Sequence, residues 1–374
     1  MARIRRIKIS RVLIAFSGLC LLVALVIGIM LLVSSRPPVY AINICQNEIS
    51  KAREAEADKY AAQILVTAES TCQMAMNEWK YQNARMFFTR NYGQMLGLAK
   101  EATDKARAAT EMATHIRDSL QNGLGDKLKT VKYKLDHFDT NYAYLPLSGT
   151  TRQNFTTARL KYMESKEAFD RGDFKQVGLN LDVASQLITK SVTEAHLYLS
   201  NYFEDFSKWR RWADETMSWS RNNDAAVIII DKFAQKCSVY HDGKLKKEFY
   251  AELGPHWIGA KQYRGDRATP EGRYHITSKK NSQQTQYYKA LLINYPNDED
   301  QARYRHEVKD GNIPKRGIGN LIEIHGCGGK GLNWTDGCIA LSNDDIDKLF
   351  GLVGVGTPVT IVGSLRSLQE INGF

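Results

Sequence analysis

With 374 residues, 43% of them apolar and 25% charged, the chain is longer than one core normally serves and too apolar for wholesale disorder, so it reads as two folded parts plus a small extra segment. Its formal charge of +10 points toward nucleic acid until it is located: residues 1–40 hold Arg3, Arg5, Arg6, Lys8, Arg11 and Arg36 with no acid, whereas from Asp224 onward 20 Lys/Arg face 18 Asp/Glu. The excess is therefore a membrane-flank pattern, and without a basic stripe interleaved with aromatics a nucleic-acid partner is not expected.

Residues 1–11 form a basic tail. Val12 to Val33 is an uncharged stretch of 22 residues, long enough as a helix for the hydrocarbon core of a bilayer. Five basic residues precede it and Arg36 alone follows closely, which predicts a single-pass inner-membrane anchor with a cytoplasmic N-terminus and the rest of the chain in the periplasm or extracytoplasmic space. A cleaved signal peptide has a shorter apolar region and a clearer cleavage site, so the anchor is read as retained. Arg36-Pro37-Pro38 then makes a short extended spacer.

From 41 to 222 the chain is rich in Ala, Glu, Lys, Gln, Met and Leu and nearly free of proline, which predicts a helical bundle. Apolar residues recur at three and four spacing, as in Ala61, Leu65, Ala68 and Cys72, then Met76 and Trp79. Breaks are expected at Gln121–Gly125 and, more strongly, at Tyr144–Gly149. Asn91-Tyr92-Gly93-Gln94-Met95 resembles Asp173-Phe174-Lys175-Gln176-Val177 at an offset of 82 residues, so two helical hairpins of related design are one reading and chance similarity the other. His115, His137 and His196 read as surface or packing residues, and Trp209, Trp212 and Trp219 as a packing seam.

Near Asp224 the pattern changes. Val227-Ile228-Ile229-Ile230 is a β-branched run, the mark of a buried strand. Cys237 to Tyr240, the turn His241-Asp242-Gly243 and Lys244 to Tyr250 read as a hairpin. Arg273 to Ile276, Leu321 to Ile324 and Val359 to Val362 read as further strands. Asn343 to Val353 reads as a short helix capped by Asn343. Residues 224–364 are thus expected to be mainly β.

Six cysteines are present, and the five outside the apolar stretch cannot all pair within one chain. That parity asks which thiol is kept free. The informative segment runs from Ile324-His325-Gly326-Cys327 through a glycine-rich loop to Trp334-Thr335-Asp336-Gly337-Cys338-Ile339-Ala340-Leu341. Acyl transfer by a thiol needs a nucleophile, a base within reach and backbone N–H groups aimed at the oxyanion. Cys338 supplies the first, and His325, 13 residues earlier, the second. Gly337 has no side chain, which allows the backbone there to approach a carbonyl. His-x-Cys plus one more cysteine falls short of a zinc set, so no metal is expected. A switchable disulfide between Cys327 and Cys338 is a further possibility.

His325-Gly326 followed by Thr335-Asp336-Gly337-Cys338-Ile339 resembles the L,D-transpeptidase (YkuD-like) catalytic domain, with a Ser/Thr-x-Gly-Cys motif after a strand-terminal His-Gly. Thr269-Pro270-Glu271-Gly272 with Tyr274, and Tyr288-Lys289-Ala290-Leu291 before Tyr295-Pro296-Asn297, fit the same family. The resemblance implies a mainly-β sandwich or barrel with a short helix for this C-terminal part; with the elements read above, the chain is expected to be multidomain, a single N-terminal transmembrane helix, an all-α helical bundle and then that mainly-β domain. The resemblance also implies attack by Cys338 on peptidoglycan stem peptides, with His325 as base, Gly337 in the oxyanion region, no cofactor, and Gly326, Thr335, Asp336, Tyr288 and Lys289 as candidate substrate contacts, joined more loosely by Tyr263 and Arg264. The helical part is expected to set reach or to bind a protein partner. Two departures stand out: Ala340 where many members carry Arg or Asn, and Asp336 where many carry His. Two other functions compete with transpeptidation, namely hydrolysis of crosslinks or of protein–wall links on the same scaffold, and a non-enzymatic wall-binding scaffold.

Overall fold

The computed structural model describes the backbone of residues 3–33 and 37–372, and the side chains of residues 13–29 and 37–371. In chain order the helices before the sheet are α1 (Arg3–Val33), α2 (Val39–Glu54), α3 (Ala57–Tyr60), α4 (Ala62–Ala84), α5 (Gly93–Asn141), α6 (Gly149–Asp170), α7 (Phe174–Tyr202) and α8 (Phe206–Asn223). The strands are β1 (Ala226–Asp231), β2 (Lys236–His241), β3 (Lys244–Tyr250), β4 (Gly272–Asn281), β5 (Lys289–Ile293), β6 (Glu323–His325), β7 (Ile339–Ala340) and β8 (Pro358–Val362), with α9 (Asp298–Lys309), α10 (Asn343–Leu352) and α11 (Leu368–Asn372) beside them. A helical N-terminal region followed by a β-rich domain is thus present.

The expected transmembrane helix is not. Among the described residues no helix is long and apolar enough to cross a membrane. A bilayer core needs about 20 consecutive apolar residues, and the described apolar side chains of α1 run only from Leu13 to Ile29. Val12 and residues 30–33, which completed the expected span, lie outside the described side chains. The single-pass inner-membrane location drawn from that span falls with it.

The chain divides into two compact units, Met1–Lys127 and Leu128–Phe374. In the first, α2 and α4 are tied by a disulfide between Cys45 and Cys72. The predicted apolar stripe is buried there: Ala61, Leu65, Ala68 and Cys72 are all inside. Tyr92, Met95 and Ala99 pack with Ala75 and Ile42. The glycines at 123 and 125 do not break α5, which runs through both, since a helical glycine costs only about 1 kcal/mol relative to alanine. The stronger break is real: Ser148 caps α6 by accepting the Thr151 N–H.

In the second unit α6 and α7 pair lengthwise, and α7 buries Val177, Leu181, Ala184, Ile188, Ser191, Ala195 and Leu199 along one face. The strands follow the order β3-β2-β1-β8-β4-β5-β6-β7, with β1–β8 and β6–β7 parallel and the other neighbours antiparallel. A register irregularity at Ile276/Ser278 in β4 marks where the sheet turns. An isolated bridge, Glu252 to Ala340, then links the chain leaving β3 to β7 at the far end of the order. α8 packs on β8, β1 and β2. There Trp209 is fully buried and Trp212 nearly so, as a packing seam requires, whereas Trp219 stays exposed.

A buried ion pair fastens helix to sheet. Lys232, fully buried, donates from Nζ to Glu271 Oε1 (2.8 Å), Gly259 O (2.7 Å) and Thr269 O (2.9 Å). Glu271 also accepts from Tyr202 Oη at 2.8 Å and from Trp209 Nε1 at 3.1 Å. The Thr269-Pro270-Glu271-Gly272 turn is therefore an anchoring point for the helices.

Candidate active site

The site is set by strand register. In the parallel pair β6–β7, Ile324 lies opposite Ile339 and His325 opposite Ala340. Side chains alternate faces along a strand, so His325 and Ala340 share a face. Cys338, one residue before β7, joins that face diagonally from His325. Ala340 is paired on both sides, since its N–H and C=O also exchange hydrogen bonds with Glu252 at 2.8 and 2.9 Å.

His325 is fully buried. Its Nδ1 lies 2.6 Å from the Gly326 carbonyl oxygen, so Nδ1 carries the proton and donates it there. Nε2 is left as the acceptor, buried and without a hydrogen-bond partner. This is the tautomer a general base needs. Tyr287 stacks flat on the imidazole, with ring centroids 3.5 Å apart and planes 7° apart, and Trp334 meets it edge-on at 6.0 Å. Burial holds the imidazole pKa below its ordinary value; the Gly326 hydrogen bond and the Glu323 carboxylate oppose this. His325 is therefore neutral at rest.

The Cys338 thiol is largely enclosed and donates weakly to Leu321 O at 3.6 Å. Burial pushes its pKa up to about 11; a backbone hydrogen bond from Glu323 and the Lys261 charge oppose the rise, and the carboxylates of Glu323 and Asp336 add to it. Thiol and imidazole thus wait as a neutral pair rather than as thiolate and imidazolium. Thr335, buried, donates its hydroxyl to Cys338 O (2.7 Å) and accepts the Gly337 N–H (3.2 Å), which fixes the bend before the nucleophile. Gly337 sits at φ +122°, and a Cβ there would meet Ala268 O at 2.6 Å, so both backbone angle and space demand glycine. The Gly337 N–H is engaged by Thr335, whereas the Cys338 N–H meets no protein acceptor among the described residues.

The remaining sequence candidates take other parts. Gly326 is in the wall behind His325: its N–H donates to Lys289 O at 2.9 Å, and a Cβ would strike Asn343 Oδ1 at 2.7 Å. Asp336 faces outward toward Arg267 Nε at 3.5 Å and not toward His325. Tyr288 and Lys289 both bind Asp347 of α10, at 3.0 and 2.6 Å, so they brace a helix. Arg264 and Tyr263 lie on a loop organised by Asp266, whose carboxylate accepts the Gln262, Tyr263 and Ala268 N–H groups and pairs with Lys261. The α10 cap is Ser342, accepting the Asp345 N–H; Asn343 instead accepts the Cys327 N–H at 2.8 Å. Cys327 and Cys338 are both free thiols.

Sequence reasoning missed Tyr287, Trp334 and Glu252. Glu252 is fully buried and accepts from Trp334 Nε1 (2.7 Å) and from the Gly331 N–H (2.6 Å), while Asn333 Oδ1 accepts the Leu253 N–H (2.8 Å). It therefore holds the loop whose tryptophan edges His325. No local pattern announces it, because the contact joins residues 82 apart.

A buried histidine ending β6 and a half-buried cysteine just before β7, in a mainly-β domain, define a candidate thiol acyl-transfer centre. Residues 225–361 match the L,D-transpeptidase catalytic domain family, YkuD, and the C-terminal part of the chain is a domain of that kind. The chain is 28% identical over 149 residues to "Putative L,D-transpeptidase YqjB" of Bacillus subtilis (strain 168), covering 38% of this chain and 75% of that one. It is 33% identical over 97 residues to "Putative L,D-transpeptidase YafK" of Escherichia coli (strain K12), covering 26% of this chain and 32% of that one. Among solved structures, Bd1075 of Bdellovibrio bacteriovorus overlaps 40% of this chain and 52% of its own at 23% identity, with a TM-score of 0.30, an overlap too small to carry an argument.

Proposed function

We propose that the chain is a cysteine-dependent acyltransferase of the L,D-transpeptidase type acting on peptidoglycan stem peptides, with the functional division at 41–222 and 224–364. The observation that carries it is the unpartnered, buried Nε2 of His325 on the same strand face as Cys338. When a stem peptide enters, Nε2 takes the thiol proton and the sulfur attacks the carbonyl of the L-centre. The oxyanion is met by the Cys338 N–H. The C–N bond to the D-amino acid breaks, His325 returns the proton to the leaving amine, and a thioester remains. The amine of a second stem attacks it, and the thiol is restored. Catalytic hydrogen bonds of this kind often form only in the substrate complex, so a His325 Nε2 without a partner and a Cys338 thiol donating to Leu321 O at rest fit the scheme.

The family match supports the reaction class, and the fixed tautomer of His325 supports its role as base. The test is a mass-spectrometric time course of the full chain with disaccharide-tetrapeptide, beside Cys338→Ala. Crosslinked dimers and a transient mass adduct from the wild type alone are expected. Trimmed monomers without dimers would make the chain a hydrolase, and no product would favour a scaffold.

A further inference from the structure

A cleft is lined in part by Gly331, Leu332 and Asn333, residues of the loop that carries Trp334. Its volume is about 420 Å³, within the roughly 300–1,000 Å³ of small-molecule sites. Tyr144 and Pro146 from the α5–α6 connection form one wall, Trp257 and Tyr250 another, and Leu332 with Asn333 the floor. Tyr144 and Tyr250 are about half exposed, and Tyr144 lies nearly parallel to Trp257, 12° apart. No carboxylate lines the cleft, and its basic member, Arg152, is partly spent on the carbonyls of Leu145 and Leu147.

We infer that this cleft is a saccharide subsite, one that holds the glycan chain from which the reacting stem peptide hangs; it rests on the reading of Cys338 as the stem-peptide nucleophile. The lining suits a neutral, amphiphilic ring. A pyranose presents a flat C–H face to an aromatic ring and hydroxyls at its rim, and exposed tyrosines with amide neighbours offer a counterpart to both. Reach agrees as well. Asn333 is five residues from Cys338, so their Cα atoms lie within roughly 18 Å, and a stem of three extended residues plus its lactyl bridge covers most of that at about 3.5 Å per residue. Glu252 adds a physical link, because it holds both Gly331, which also lines the cleft, and Trp334, whose ring meets His325 edge-on.

The test titrates the full chain with a peptide-free β-1,4-linked N-acetylglucosamine tetramer by calorimetry. Binding is expected for the wild type. It should weaken at least five-fold in Tyr144→Ala and in Leu332→Trp, and hold in Tyr133→Ala, an exposed tyrosine outside the cleft. Leu332→Trp fills the cleft from an exposed position without removing the Tyr144–Trp257 stack, so a misfolded Tyr144→Ala does not shield the idea. Equal binding by all variants, or none by the wild type, overturns the subsite. So does displacement by free tetrapeptide alone. Acylation of Cys338 by free tetrapeptide is measured beside it: acylation without sugar binding sinks the subsite only, and sugar binding without acylation sinks the stem-peptide reading only.

Discussion

At the scale of single residues, the proposed nucleophile, Cys338, is a half-buried, protonated thiol. A thiol whose charged form is disfavoured by burial ionises above its ordinary value of 9.0, here at about 11. Alkylation of Cys338 by iodoacetamide should therefore keep accelerating through pH 9 and 10; a plateau near pH 8, followed by peptide mapping, would show the burial to be broken on opening. For His325 the sign is opposite. Burial disfavours its cation, so the base-competent neutral form persists below pH 6.5, and the acid limb of kcat/KM should fall below that pH. Glu252→Gln keeps size but puts an amide where two donors need an acceptor. The Trp334 loop should loosen and kcat drop by about 10- to 100-fold, with KM for free tetrapeptide changing less; equal kcat would remove Glu252 from any positioning role. The pair Cys338 and His325 was legible because both sit in one short motif with glycines. Glu252 and Tyr287 were not, because what recruits them is contact between strands distant in sequence.

At the scale of elements, the β-branched run and the Asp-Gly turn announced β1 to β3 because those residues suit a buried strand and a tight turn regardless of context. The two-residue β7 had no such announcement. It exists because Glu252 and β6 both pair with it. The same logic moved the α10 cap by one residue: Asn343 looked like the cap, but its side chain was claimed by the Cys327 N–H, which left Ser342 for the helix. Ser342→Ala should cost about 1 kcal/mol, lowering the unfolding midpoint of the second unit by roughly 2–4 °C. No change in differential scanning calorimetry would mean the helix end is held by its neighbours instead. The contacts of Tyr288 and Lys289 were hidden for a related reason, since their sequence position beside a strand says nothing of Asp347, which binds both.

At the scale of the whole chain, the shift from helix to strand near Asp224 was legible from composition, while the 22-residue apolar stretch was a false guide to a membrane span among the described residues. Partition into units was also hidden, because the division falls inside α5. Glu271→Ala would strand a fully buried Lys232 ammonium and should cost about 3–5 kcal/mol, seen as a fall of roughly 10 °C in the second unit's transition. Reducing Cys45–Cys72, which closes a separation of 27 residues, should cost the first unit about 3–4 kcal/mol by the chain-entropy relation and leave Cys338 chemistry intact. The high thiol pKa has one more consequence, for how the chain is made. Thiol–disulfide exchange runs through the thiolate. At neutral pH a thiol titrating near 11 is ionised in only about one molecule in 10⁴. Once folded, the Cys338 sulfur is a poor competitor in exchange, so oxidants and isomerases that join Cys45 to Cys72 can work in its presence without capturing it.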